Sequence, residues 1–300
     1  MPPVSEKIAA QCVDAHSLQG KITLDPFGAS PNWSAVAARS GTRLIIAANN
    51  PIARLLIEIA AKPPTPNETL AILSAMASAR IRAERLEPHL RALYATRCPE
   101  CEREIQAQAF IWKSETNTLS ARLLQCPHCG TSGEFPAEEA DQQHAARFTT
   151  GGPHHARALE RVAPLNDPDR RYVEEALSVY PPRAIYALLT LINKLETLNL
   201  SERQSAILDA MLLHVFDRGN TLWPYPVVRE RPRQLTVPPV YRENNLWLAL
   251  EEVADFLAQP TSTAAVSLTR WPELPPENGG ICLFEGRIKS LATQIGEAPP

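Results

Sequence analysis

The chain has 300 residues, a formal net charge of −3 and 44% hydrophobic residues, enough apolar material for one or two domains with real cores. This near-neutral balance excludes a globally basic nucleic-acid protein, so any such surface must be a local patch. With 28 Pro against 12 Gly, helices separated by proline joints are favoured over a glycine-rich barrel.

The N-terminal stretch MPPVSEKIAAQCVDAH has no basic segment followed by an apolar one, and the strongest apolar run, 184–193, is too short to span a bilayer. The expectation is a soluble, cytoplasmic chain without membrane association. Thiols stay reduced there, so clustered cysteines point to metal and not to disulfides.

Residues 22–25 (ITLD) predict a short strand ending in a turn at Pro26-Phe27-Gly28, and 32–39 predict a helix. A second strand is expected over 43–48 and a helix over 52–62, stopped by Pro63-Pro64. Short joints between alternating strands and helices favour a parallel sheet. Thr65, Pro66 and Glu68 form a helix start with a capping box, opening a long helical stretch that bends near Pro88. Residues 1–93 are therefore expected to begin an α/β domain, with a cysteine module over 94–135 and a polar connection over 136–152.

The region 153–258 reads as helical, with starts at Asp167-Pro168, Pro181-Pro182 and Ser201, where Gln204 completes a capping box. Their apolar stripes are core. Residues 222–241 are Pro-rich and basic, 244–257 form an amphipathic helix, and 259–278 form a loop. A third strand over 281–285 and a helix over 287–293 return the chain to the α/β domain as a segment 279–300. Cys12 and Cys282 are single, apolar-flanked core residues.

Cys98-Pro-Glu-Cys101 and Cys126-Pro-His-Cys129-Gly130 are two knuckles able to place four thiolates around one Zn²⁺. Between them Ile105, Ala107, Ala109 and Ile111 alternate with Phe110 and Trp112, as in two strands. This is the pattern of a four-cysteine zinc ribbon. Four sulfurs leave no open position for water, so the expected role is structural, and His128 is not needed as a ligand.

Asp25-Pro26-Phe27-Gly28-Ala29-Ser30 lies where a strand gives way to a helix. Such a turn brings backbone N–H groups to a ligand, although an ordinary βα turn fits the geometry equally. LDPFGAS resembles motif I of the S-adenosylmethionine-dependent DNA amino-methyltransferases, which modify adenine N6 or cytosine N4. AANNPIARLLIEIA resembles their following stretch, and the cysteine module with RPRQLTVPPVYRENNLWLALEE is similar to a bacterial group of DNA methylases.

The resemblance implies a partial Rossmann-like methyltransferase sheet, strands one to three, carrying an inserted zinc ribbon and a helical region used for target recognition. It implies S-adenosylmethionine as cofactor. Asp25, Phe27, Gly28 and Ser30 would line its methionine end, Asn49 and Asn50 would lie near the ribose, and Glu285 near the adenine. Ala29, Pro31 and Ala48 depart from the family pattern. Pro31 removes an N–H, and Ala48 stands where a ribose-binding carboxylate is expected.

The family's (Asp/Asn/Ser)-Pro-Pro-aromatic tetrad, which holds the target amine and stacks on the flipped base, is not found in the sequence. The expectation is therefore that this chain carries no catalytic residue of its own. Because strand one would then be an open sheet edge, a second polypeptide is expected to supply the remaining strands and the tetrad.

Arg229, Arg231, Arg233 and Arg242 lie beside Trp223, Tyr225 and Tyr241. Arginine with interleaved aromatics can grip phosphates and stack bases, so DNA is an expected partner. A solvated loop whose aromatics pack on the helices is the plainer account, as a surface pair is for His154-His155. The alternative reading of the whole chain is a non-enzymatic DNA-binding or scaffold protein derived from such an enzyme.

Overall fold

The computed structural model describes residues 6–227, 235–259 and 264–297. The protein is α/β. After α1 (Glu6–Ala15), β1 (Ile22–Asp25) runs into a tight turn and α2 (Pro31–Arg39) begins. Ser30 caps α2 by accepting the Trp33 N–H, and Pro31 occupies the first helical turn, where its missing N–H costs nothing. β2 (Arg43–Ala47) is followed by α3 (Pro51–Ala61), started in the same way by Pro51 and the Asn50 side chain.

At α4 (Pro66–Ser78) the predicted capping box is present. The Glu68 carboxylate accepts the Thr65 N–H at 2.8 Å, and the Thr65 hydroxyl accepts the Glu68 N–H at 3.2 Å. The expected long bent helix is corrected. α4 stops at Ser78, a hairpin of β3 (Arg80–Ile81) and β4 (Glu84–Arg85) follows, and α5 (Leu86–Ala92) starts afresh. Pro88 falls in the first turn of α5, where a proline is tolerated, so it marks a helix start and not a bend.

The cysteine module comprises β5 (Ala95–Arg97), β6 (Glu104–Lys113), β7 (Thr118–Gln125) and β8 (Ser132–Pro136). The stretch expected to be a connection contains α6 (Glu139–Ala145), whose Asp141 carboxylate accepts the Glu138 N–H at 2.9 Å. Next come α7 (Pro153–Val162), α8 (Arg170–Leu177), α9 (Pro182–Leu195) and α10 (Glu202–Gly219), the last carrying the Ser201/Gln204 box. β9 (Val240–Asn244), α11 (Leu246–Leu257), β10 (Leu268–Arg270), β11 (Gly280–Phe284) and α12 (Ile288–Glu297) complete the described elements.

Two compact units result, 1–68 with 257–300, and 69–256. Residues 69–93, which the sequence groups with the first strands, belong to the second unit.

The first unit holds a four-stranded sheet in the order β1-β2-β11-β10, parallel throughout. The expected three strands are there, and β10 is a fourth, lying within the stretch expected to be loop. At three residues it is too short to give a period-2 signal. Leu44, Ile46, Ile281 and Leu283 pack one face with Ala37 and Ile57. Ile45, Cys282 and Phe284 pack the other with Leu291 of α12. Each fully buried Leu or Ile contributes about 1.5–3 kcal/mol.

β1 is an edge strand, bonded to β2 alone among the described strands. Leu24 is registered with Ile45 and so lies on the α12 face of the pleat, as does Ile22. Neither is covered: Ile22 is 51% and Leu24 44% exposed.

In the second unit β6 is central. β7 runs along one edge, and β5 and β9 divide the other. β9 spans the end of the Pro-rich, basic stretch 222–241 and the first residue expected for the helix over 244–257, where no strand was expected. Its inward residues are Tyr241 and Glu243, and a buried carboxylate breaks the apolar alternation that would have flagged a strand.

Candidate functional site

The four cysteines converge. Cys98 and Cys129 Sγ lie 3.5 Å apart, Cys101 and Cys126 Sγ 3.6 Å apart, and all four sulfurs fall within 4.8 Å of one another. A tetrahedral ion with metal–sulfur bonds of about 2.3 Å sets sulfurs about 3.8 Å apart, so the cluster is the right size for a structural metal such as zinc.

Each pair is shaped by its backbone. The Cys98 N–H donates to Arg103 O at 3.0 Å and the Cys126 N–H to Thr131 O at 2.7 Å; Glu102 and Gly130 close each knuckle onto the first cysteine carbonyl at 3.0 Å. Both closing residues have positive φ, +55° at Glu102 and +81° at Gly130. The second knuckle uses glycine for this, and the first strains a glutamate.

The Thr131 hydroxyl, then its backbone, draw Cys129 down to about 6. A hydrogen bond with the Arg103 backbone lowers Cys101, but burial and the three neighbouring thiols together raise it by more, to about 12. Four thiolates in one cluster repel each other, and a bound cation is what relieves that repulsion.

The second candidate site follows the carboxyl ends of three adjacent parallel strands. Asp25 Oδ1 accepts the N–H of Phe27 at 3.0 Å and of Gly28 at 2.9 Å, which folds the turn back on itself. Gly28 has φ +57°, and a Cβ there would stand 3.0 Å from Ile46 Cγ2 and 3.1 Å from Ile57 Cδ1. Phe27 is exposed. Ser30 and Asn50 serve as the caps of α2 and α3. Asn49 is exposed, and Glu285, just after β11, pairs with Arg270 at 2.5 Å and lies 3.9 Å from Arg54. The predicted residues thus gather at the ends of neighbouring strands, and Asp25, Ser30, Asn50 and Glu285 already have structural duties there.

Comparison with known family models, curated proteins and solved structures returns no match for this chain.

Of the expected nucleic-acid contacts, Arg229, Arg231 and Arg233 lie outside the described residues. Trp223 donates its indole N–H to Asp217 O at 2.6 Å and carries the Arg218 guanidinium 4.5 Å from its ring centroid. The Tyr225 hydroxyl donates to Glu134 at 2.6 Å. His154 packs edge-on against Tyr186, with ring centroids 4.7 Å apart.

One arrangement escaped the sequence. Arg183 and Glu243 form a bidentate pair at 2.8 and 2.6 Å, each side chain only 2% exposed. Burial works against the Arg183 charge, and Glu243 more than offsets it, holding the guanidinium above its usual range. Arg183 also lies over Tyr94 and Phe110, at 5.0 and 4.6 Å. Arg183 sits within an apolar helix stripe and its partner beyond a proline-rich stretch, so no spacing rule could join them.

Proposed function

We propose that this chain is the cofactor-side portion of an S-adenosylmethionine-dependent DNA amino-methyltransferase of the adenine-N6 or cytosine-N4 type, with a zinc ribbon as a structural element. The observation that carries the reading is the order β1-β2-β11, parallel, with a motif-I-like turn at the end of an uncovered edge strand. In open α/β sheets ligands bind outside the carboxyl ends of strands, where strand order reverses. Among the described strands β1 pairs on one side only, so this chain would build half of such a crevice. A second polypeptide would add strands beyond β1, cover Ile22 and Leu24, and bring the Pro-Pro-aromatic tetrad that holds the target amine.

S-adenosylmethionine would supply the methyl group. This chain's part would be to place the tight turn Asp25–Gly28 beside the cofactor and to hold the crevice floor rigid through Gly28. Zinc would be held by Cys98, Cys101, Cys126 and Cys129 in a closed structural site, and DNA would be gripped along the Trp223–Arg233 segment.

A specific observation favours a second reading, a non-enzymatic zinc-ribbon DNA-binding or scaffold protein. Asp25, Ser30, Asn50 and Glu285 are each engaged in caps, turns or ion pairs, Pro31 withdraws an N–H, and Ala48 replaces a carboxylate. Calorimetric titration separates the two. The enzyme reading expects saturable S-adenosylmethionine binding to the zinc-loaded chain, alone or with the polypeptide encoded beside its gene, and loss of that binding in Asp25→Ala. Absence of heat in both preparations, together with salt-dependent DNA binding, establishes the second reading instead.

A further inference from the structure

The second unit repeatedly sets an arginine against both an aromatic ring and a carboxylate. Arg91 lies 5.9 Å from the Trp247 ring centroid and pairs with Glu251, which also accepts the Trp247 indole N–H at 2.9 Å. Arg183 lies over Tyr94 and Phe110 and pairs with Glu243. Arg218 lies 4.5 Å from the Trp223 ring centroid and pairs with Glu252 at 2.7 Å. A guanidinium suits both partners at once: its flat, weakly hydrated face packs on a ring while its N–H fork engages the carboxylate.

A further ring-and-carboxylate set lines a cavity of about 480 Å³ between the β6–β9 face and α6 and α9. Trp112 and Tyr241, directly opposite in the β6–β9 register, hold their ring planes 4° apart. Glu139 is exposed on the same cavity, accepts the Gln143 amide at 2.9 Å, and makes no ion pair among the described residues. Arg183 and Glu243 also line it but cancel each other, so Glu139 is the uncompensated charge of the lining. The Trp112 indole N–H is already donated to Glu243 at 2.7 Å, which leaves Trp112 only its π surface to offer an occupant. Phe148, Pro181 and Pro182 add apolar wall, against which a methylene stem can lie.

We infer that this cavity is a docking site for an arginine side chain of a partner polypeptide, with its guanidinium against the Trp112–Tyr241 rings and paired with Glu139. The lining decides among occupants. An unpaired carboxylate and the negative faces of aromatic rings select a cation. A phosphate would find no unpaired cation, because Arg183 is 2% exposed and held by Glu243. The same lack would strand the carboxylate of free arginine, which argues for an arginine within a chain. Asn117 and Gln142, both exposed on the cavity, offer amides that can donate to and accept from a peptide backbone. Lysine fits less well, since its ammonium is compact and more strongly hydrated. The inference goes beyond the proposed function and uses no residue of the Asp25–Ser30 site.

The test uses the full zinc-loaded chain. Capped peptides with a fixed central arginine and varied flanks are screened for binding. The tightest is titrated calorimetrically beside its lysine and citrulline counterparts and beside methylguanidinium alone. Citrulline keeps the shape of the side chain and loses its charge. The expected result is saturable binding of the arginine peptide, about tenfold weaker with lysine and lost with citrulline. Glu139→Gln, at an exposed position, should keep the parent's unfolding midpoint and weaken binding by about tenfold. Trp112→Leu should weaken it too, in a preparation whose circular dichroism matches the parent's. No saturable binding of any arginine peptide, equally tight binding of the lysine or citrulline peptide, or indifference to Glu139→Gln overturns the inference. Methylguanidinium binding as tightly as the peptide overturns the assignment to a polypeptide.

Discussion

Gly28 illustrates how one residue can serve fold and site together. Its φ of +57° is open to glycine, and the space where a Cβ would go is filled by Ile46 and Ile57. Gly28→Ala combines left-handed strain with a forced shift of packed methyl groups and should cost about 1–3 kcal/mol, read as a lower urea midpoint; an unchanged midpoint would show that the turn relaxes freely. The sequence revealed the turn because Pro, Gly and Asp carry their conformational preferences locally. It could not reveal that Asp25 spends its side chain on the Phe27 and Gly28 N–H groups, since that depends on the direction of one carboxylate. Three histidines show a different residue-scale effect. His144, His154 and His214 are each held below the ordinary value of 6.5, first by burial. The unfolded chain therefore binds protons more readily at these positions. Stability is full above about 6.5 and falls as pH drops below it. Urea midpoints should decrease from pH 7.5 to 5.5, and the H144Q/H154Q/H214Q variant should show a smaller decrease; an equal decrease would place the effect elsewhere.

Among the elements, the cysteine module was the most legible, because two Cys-x-x-Cys pairs impose their geometry whatever surrounds them. Its strands were readable as well, Ala107, Ala109 and Ile111 being buried along β6. β9 was not readable. Its pairing partner is remote in sequence, and the burial of Glu243 makes sense only once Arg183 stands beside it. The short strands β3, β4 and β10 were missed for a simpler reason: two or three residues hold no period. If zinc ties the two knuckles, its removal should do more than loosen a loop. A chelator should lower stability by on the order of 5 kcal/mol or more and strip amide protection from β6 and β7, with recovery on adding zinc. Retention of protection in the chelated protein would contradict a structural metal.

For the molecule as a whole, the uncovered edge is the dominant fact of the first unit. Ile22 and Leu24 face solvent on a parallel strand that pairs on one side only among the described strands, a combination that invites pairing with another chain. The isolated protein should self-associate in a concentration-dependent way. Leu24→Lys should suppress that association in sedimentation experiments while changing the unfolding free energy by no more than about 0.5 kcal/mol, as expected of an exposed site. It should equally abolish capture of the proposed second polypeptide. A strictly monomeric parent protein at high concentration would remove the argument for a missing strand. The sequence pointed to this edge through resemblance, and the sheet order and the exposure of two side chains now give it a physical basis.

The late arrival of β9 has a consequence for how the protein is made. The β6–β7 hairpin joins near neighbours and can bring its four cysteines together as soon as Gln125 and the second knuckle have been synthesised. Arg183 follows, in a helix with no carboxylate yet to meet it. Only when Glu243 leaves the ribosome can the cation be buried, the Trp112 ring be fixed and the cavity wall be finished. The cavity is thus the last part of this unit to mature, and a nascent chain interrupted before β9 would carry a folded ribbon beside a half-built chamber.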